Sequence, residues 1–213
     1  MMPAAPFSEP WDPHTVQHYE RHAASLIVHS HNPHAVTWYR HLTSILPPPA
    51  HILDAGCGAG YASRFFLDHG YTVTAFDAAL PLVTFASTLL QQPVLQLRFD
   101  TIPFSNQFDA IWACASLLHV PRHSLPTILQ RLARALKPAG VCYINFVYGP
   151  EETTRGGLYF NDQTEATIAA AIAGVPGLHM LHRWTSPDLP PTRSDRTWLH
   201  VLARTEDASA AVS

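Results

Sequence analysis

The chain has 213 residues, 47% of them hydrophobic and 14% charged, which suits one domain with a sizeable core. Thirteen basic residues, of which only Lys137 is a lysine, stand against 16 acids for a formal charge of −3; with no long basic run, the composition argues against nucleic-acid binding by phosphate neutralisation. Cys57, Cys114 and Cys142 form no CxxC pair, the opening residues lack a basic or apolar signal region, and no apolar run reaches membrane-spanning length, so a cytoplasmic protein in a reducing compartment, with no membrane partner, is expected.

Residues 1–12, rich in proline and small side chains, are expected to form a loose arm. "DPHTVQHYERHAASLIVH" then opens a helix with Asp12 as N-cap and Pro13 at the first helical position. "NPHAVTWYRHLTSIL" repeats the device with Asn32 and Pro33, and "PPPA" (47–50) stops it. From residue 51 the pattern alternates. The strands are "HILDA" (51–55), "TVTAFD" (72–77), "VLQLRF" (94–99), "FDAIWACAS" (108–116) and "GVCYINFV" (140–147). The helices are "YASRFFLDH", closed by Gly70, then "LPLVTFASTLLQ" and "LPTILQRLARAL". Strands separated by such helices predict an α/β fold with a parallel, doubly wound sheet. A turn-rich loop (149–162) and the helix "QTEATIAAAIA" follow. The strands "LHMLHRWTSP" and "RTWLHVLAR", joined by "DLPPTRSD" with no helix between, predict an antiparallel hairpin. Residues 205–213 are small and polar and are expected to fray. No repeat or long linker divides the chain, so a single domain is expected, with its core over residues 51–204.

The chemistry concentrates in "ILDAGCGAGYASRFF…VTAFD". A dinucleotide needs GxGxxG to set a helix N-terminus against its pyrophosphate. Here Gly56, Gly58 and Gly60 alternate, and Tyr61 stands where the third glycine of that motif belongs. No GxxxxGK[ST] is present for a nucleoside triphosphate. Asp54, just before the turn, repels phosphate and favours an ammonium or sulfonium group. Asp77, at the end of the second strand, is suited to accept bonds from both hydroxyls of a ribose, or to cap the next helix. A nucleoside with a cationic tail and no phosphate is S-adenosylmethionine.

Through "ILDAGCGAG", "VTAFDAA", "FDTIPFSNQFDAIWACASLLHVP" and "LARALKPAGVCYINF", residues 51 to 147 resemble the class I S-adenosylmethionine-dependent methyltransferases. "YFNDQTEATI" and "RTWLHVLAR" resemble the distal part of their small stand-alone, tellurite-resistance-type members. The resemblance implies a Rossmann-like seven-stranded sheet, parallel except for one C-terminal strand. It places Gly56, Cys57, Gly58 and Gly60 at the methionine portion of the cofactor, with Asp54 near its amino group. Asp77 and Ala78 fall at the ribose. Asp100 meets the adenine amino group, with Thr101 and Ile102 flanking the ring. Cys114, Ala115 and Ser116 face the sulfonium. The N-terminal helices (13–46), carrying Tyr19, His22 and Trp38, are expected to close over the cofactor as a lid.

His14, His18 and His22 share one helical face, but neither an HExxH motif nor a cysteine partner accompanies them, so no metal is expected. His119 follows the fourth strand near the methyl-transfer mouth and has two readings, general base or structural hydrogen-bonder. On the acceptor side, Tyr148, Arg155 and Tyr159 are candidates to hold an anionic or polar substrate, joined from the hairpin by Arg193, Arg196 and Trp198; surface pairing of Arg155 and Arg196 with Glu151, Glu152 or Asp195 is the competing reading. "CASL" after the fourth strand is not the [ND]PP[YFW] that grips a planar amino group, and no Pro-Cys supplies a nucleophile for cytosine. The expected function is therefore methyl transfer to a small-molecule acceptor. The alternatives are a tRNA-modifying methyltransferase, a nicotinamide-dependent oxidoreductase, or a non-catalytic protein that binds S-adenosylmethionine.

Overall fold

The computed structural model describes residues 11–189 and 195–207. Residues 1–10 of the arm expected over 1–12, Arg193 and the end of the tail therefore lie outside the described residues. Helix α1 (Pro13–Ser30) starts where Asp12 accepts from the backbone N–H groups of His14 and Thr15. Asn32 caps a 3-10 turn (Pro33–Ala35) that leads into α2 (Val36–Thr43). Then follow β1 (His51–Ala55), α3 (Tyr61–Asp68), β2 (Thr72–Asp77), α4 (Leu80–Leu90), β3 (Leu95–Gln96), β4 (Phe108–Ala113), α5 (Leu125–Ala135) and β5 (Leu136–Val147). The chain continues through β6 (Glu152–Arg155), β7 (Leu158–Asn161), α6 (Glu165–Ala173), β8 (Leu178–Pro187) and β9 (Thr197–Thr205).

Seven strands form one sheet in the order β3-β2-β1-β4-β5-β9-β8. The pairs from β3 to β5 are parallel, and β9 runs antiparallel to both β5 and β8. This is the α/β, Rossmann-like sheet the sequence predicts, with its single reversed strand. Alternation along the strands sends successive side chains to opposite faces. Leu53, Ile111 and Ile144 face one layer with Ile128, Leu132 and Ile168 of α5 and α6. Ile52, Trp112 and Tyr143 face the other with Leu42, Phe66 and Val83 of α2, α3 and α4. In that second layer the Trp112 and Tyr143 rings stack at 4.0 Å, a pair worth about 0.5–1.5 kcal/mol beyond its buried area.

Three segments depart from expectation. The third strand is two residues long, because Thr101 and Arg98 exchange bonds (Arg98 N–H to Thr101 Oγ1 at 3.2 Å, Thr101 Oγ1 to Arg98 carbonyl at 3.1 Å) and close a 3-10 turn over Phe99–Thr101. The fourth strand stops at Ala113, since Ala115 adopts φ +52° and turns the chain off the sheet. The 149–162 loop contains the β6–β7 hairpin, a separate two-stranded sheet. Helix α1 packs on the start of α4 through Ala23, Ala79 and Leu82, with Tyr19 and Ile27 against them.

Candidate active site

A cavity of about 410 Å³ opens at the C-terminal ends of β1, β2 and β4, where ligands bind in open α/β sheets. Its floor is the turn after β1. The Gly56 and Cys57 N–H groups both donate to the Phe76 carbonyl, which ties the turn to β2. Gly56 has φ +75°, and a Cβ there would sit 2.6 Å from Cβ of Ser116. Gly60 has φ +84°, and its Cβ would press on Ala86 of α4 at 3.1 Å. Both positions require glycine for conformation and for close packing. At Gly58 nothing lies within 4 Å of such a Cβ, because that face is open to the cavity.

Two carboxylates bracket this turn. Asp54 is 2% exposed and accepts from Ser63 Oγ at 2.6 Å. Burial pushes its carboxyl up to about 7, against the Ser63 bond and aided by the charge of Asp77. Asp77 accepts from the Gly58 N–H through Oδ2 and from the Ala79 N–H through Oδ1, each at 2.9 Å. Burial raises its carboxyl too, and the backbone bonds oppose the rise. Two acids held above their ordinary range in one cavity gain by accepting a cation.

Beside β4, Ala115 N–H donates to Asn145 Oδ1 at 2.6 Å and Ser116 Oγ to the Ala55 carbonyl at 2.8 Å. Burial pushes the Cys114 and Cys57 thiols up, so both stay protonated. His119 donates from Nδ1 to the Tyr159 carbonyl at 2.7 Å, which leaves Nε2 to accept from the Tyr19 hydroxyl at 2.8 Å. Burial lowers His119 to about 4, partly offset by the Tyr159 carbonyl. Burial and Asp77 raise the Tyr19 phenol. At neutral pH the pair is therefore an uncharged imidazole fixed by a neutral phenol.

A profile described as a methyltransferase domain matches residues 53–144. Over that stretch, rather less than half of the chain, it is similar to the methyltransferase domain, in keeping with the class I S-adenosylmethionine-dependent methyltransferases that its motifs resemble. A malonyl-[acyl-carrier protein] O-methyltransferase of Enterobacter lignolyticus is 36% identical over 96 residues, 43% of this chain and 37% of that protein. A 2-methyl-6-phytyl-1,4-hydroquinone methyltransferase of Synechocystis is 30% identical over 106 residues, 46% of this chain and 32% of that one. The matched region is thus less than half of either relative. Among solved structures, the Burkholderia thailandensis 1,6-didemethyltoxoflavin-N1-methyltransferase, with bound 1,6-didemethyltoxoflavin and S-adenosylhomocysteine, superposes with a TM-score of 0.77 at 20% identity and 95% coverage of both chains.

Within this methyltransferase fold, the cavity is lined by Tyr19, Asp54, Gly56, Cys57 and Gly58 from the expected set. Asp77, Ala78, Cys114, Ala115, Ser116, His119, Trp38 and Trp198 line it as well. Gly60 lies beneath, against α4. Asp100 and Thr101 do not line it. Arg98 holds Asp100 through two bonds of 3.0 Å, the Thr101 hydroxyl closes the 3-10 turn, and Ile102 is in the core. The early end of β3 brings Leu97, Arg98 and Phe99 to the cavity instead, with the Arg98 guanidinium 4.6 Å over the Trp11 ring.

The expected acceptor side is also displaced. Arg155 pairs with Asp162 and lies over the Phe160 ring, Tyr148 donates to Glu165 on the surface, and the Tyr159 hydroxyl donates to Glu152. Arg196 sits over Trp198, and His22 is exposed, its ring tilted against that of His18 with centroids 4.2 Å apart. None of these five side chains lines the cavity. Among the described residues no group of three His, Cys, Asp or Glu is arranged to hold a metal ion. Residues that sequence reasoning missed include Asn145, Arg98, Tyr39 and Asp188. Asn145 carried a signal, a lone amide inside the apolar run "CYINFV"; Asp188, in "SPDLPP", carried none.

Proposed function

We propose that this chain transfers a methyl group from S-adenosylmethionine to a small-molecule acceptor. The observation that carries the reading is the Asp77 carboxylate, held by the Gly58 and Ala79 amides at the mouth of a glycine turn that a second buried acid underlies. The open face at Gly58 and the two raised acids fit a nucleoside with a cationic tail. When bound, the cofactor supplies an electrophilic methyl group on a sulfonium. Asp77 accepts from the ribose hydroxyls, Leu97, Arg98 and Phe99 border the adenine, and Asp54 and the glycine turn receive the amino-acid end. Cys114 and Ala115 border the sulfur, held by Asn145. Their thiol and backbone present no anion there, so the acceptor's own lone pair makes the attack.

Helix α1 acts as a lid. Tyr19 reaches across to His119, and Thr15 Oγ1 accepts from the Tyr159 N–H at 3.3 Å, so the helix is pinned at the mouth. Such closure orders donor and acceptor and excludes water. The likeness to proteins named for acting on a hydroquinone and on a didemethyltoxoflavin supports a small acceptor. The three free cysteines suit a reducing, cytoplasmic setting, and no helix among the described residues is long and apolar enough to cross a membrane. Calorimetry with S-adenosylhomocysteine and with NAD tests the reading. Saturable binding of the first and none of the second is expected; the reverse pattern refutes it.

A further inference from the structure

Asp188, just past β8, is 6% exposed. Its backbone N–H donates to the Arg196 carbonyl at 3.0 Å, which fixes the residue across from β9. Oδ1 accepts twice, from the Leu189 N–H and from Trp198 Nε1, each at 2.8 Å. Oδ2 is buried and has no hydrogen-bond partner among the described residues. A buried carboxylate oxygen without a donor costs free energy, and such atoms in folded chains call for a missing partner. Asp188 lines the same cavity as Asp77 and Cys114.

Its position along the sheet separates it from the cofactor groups. Asp77 ends β2 and Cys114 follows β4, whereas Trp198, the second residue of β9, lies opposite Val147 at the end of β5. Strand order therefore runs from the nucleoside end at β3 and β2, through the sulfur position at β1 and β4, to Asp188 and Trp198 beyond β5. Trp38 meets Trp198 edge-on with centroids 5.4 Å apart, and both line the cavity, so the wall beside the free oxygen is aromatic. The Asn32 side chain donates to the Leu189 carbonyl at 3.0 Å, which joins the lid to this corner. The charges agree. Among the described residues, Asp12, Asp54, Asp77 and Asp188 line the cavity against a single arginine, Arg98, which sits at the opposite end and is bonded to Asp100.

We infer that Asp188 Oδ2 is the recognition point for the methyl acceptor, and that the acceptor is a planar nitrogenous compound that presents an N–H, neutral or cationic, to this oxygen while its ring lies against Trp38 and Trp198. Anionic acceptors are disfavoured by the carboxylate itself; Arg196, a cation at that end, lies over the Trp198 ring at 5.8 Å and does not line the cavity. The inference rests on the methyltransferase reading for the word acceptor, but the site itself is read from the free oxygen and its aromatic wall.

The test uses the full chain and three ring-matched probes, benzamidine, benzoate and benzyl alcohol, followed by tryptophan fluorescence and calorimetry with and without saturating S-adenosylhomocysteine. Benzamidine should bind saturably, and benzoate should not. Asp188→Asn keeps an acceptor for Trp198 Nε1 but turns an amide N–H toward the ligand, so it should weaken benzamidine by about tenfold or more and leave S-adenosylhomocysteine affinity unchanged. Equal binding of benzamidine and benzoate to the parent chain overturns the inference without any variant. So does parent-like benzamidine affinity in a folded Asp188→Asn chain. Failure of S-adenosylhomocysteine to bind the parent would sink the methyltransferase reading alone, since the probe selectivity is also measured without it.

Discussion

Replacing Asp77 by alanine separates the two roles of its carboxylate, holding the turn and binding the ribose. The turn depends on it, because Gly58 and Ala79 both donate to it at 2.9 Å. Gly58 faces the open cavity, so water can replace the lost acceptor there. Ala79 is 1% exposed, so its N–H is left with poor access to solvent, a loss of about 1–3 kcal/mol. At about 2–4 °C per kcal/mol for a chain of this size, the Tm should fall by roughly 2–12 °C. That differs from the small shift expected of a carboxylate that serves the ribose alone. Cofactor binding should weaken by a further 1.5–3 kcal/mol, roughly 10- to 150-fold, from charge-assisted bonds to the ribose hydroxyls. Calorimetry with S-adenosylhomocysteine and with its 2′-deoxy analogue closes the cycle. In the parent the analogue should bind more weakly; in the variant the two ligands should bind alike. A folded variant whose affinity lies within about twofold of the parent would refute the assignment of Asp77 to the ribose.

Three further outcomes follow from the buried ionisable groups. Asp54, raised by burial to about 7, must lose its proton to meet a ligand ammonium, so S-adenosylhomocysteine affinity should rise by about tenfold between pH 6 and 8, with proton release seen in buffers of different ionisation enthalpy. Asp54→Asn should flatten that dependence, and a pH-independent affinity in the parent would count against the site. His119, lowered to about 4, should remain neutral across pH 5 to 8 by NMR of its ring, so it contributes no rate limb near neutrality; a titration near 6.5 would reverse this. Tyr19→Phe and His119→Ala break one and the same hydrogen bond, so their effects on unfolding should be non-additive by about 0.5–1.5 kcal/mol in a double-mutant cycle.

The order of strands and helices, the glycine turn and the bracketing acids were legible in the sequence, because each is a local pattern. The short apolar runs "HILDA" and "TVTAFD", the spacing of Gly56, Gly58 and Gly60, and the caps Asp12 and Asn32 follow from strand composition and turn chemistry within a few residues. Side-chain direction beyond the strand ends was decided only by the tertiary structure. Arg98 and Asp100 are two residues apart, and which of them meets the cavity depends on β3 ending at Gln96 and on the Arg98–Asp100 pair that holds the acid aside. Arg155 and Tyr159 were read toward the substrate, yet Asp162 and Glu152 lie close enough across the β6–β7 hairpin to engage them first. His119 lies 100 residues from Tyr19, and its neutral state follows from burial and a contact that no local pattern records. Asp188 became visible as a site because its second oxygen is buried without a partner, and burial is a property of the packed chain.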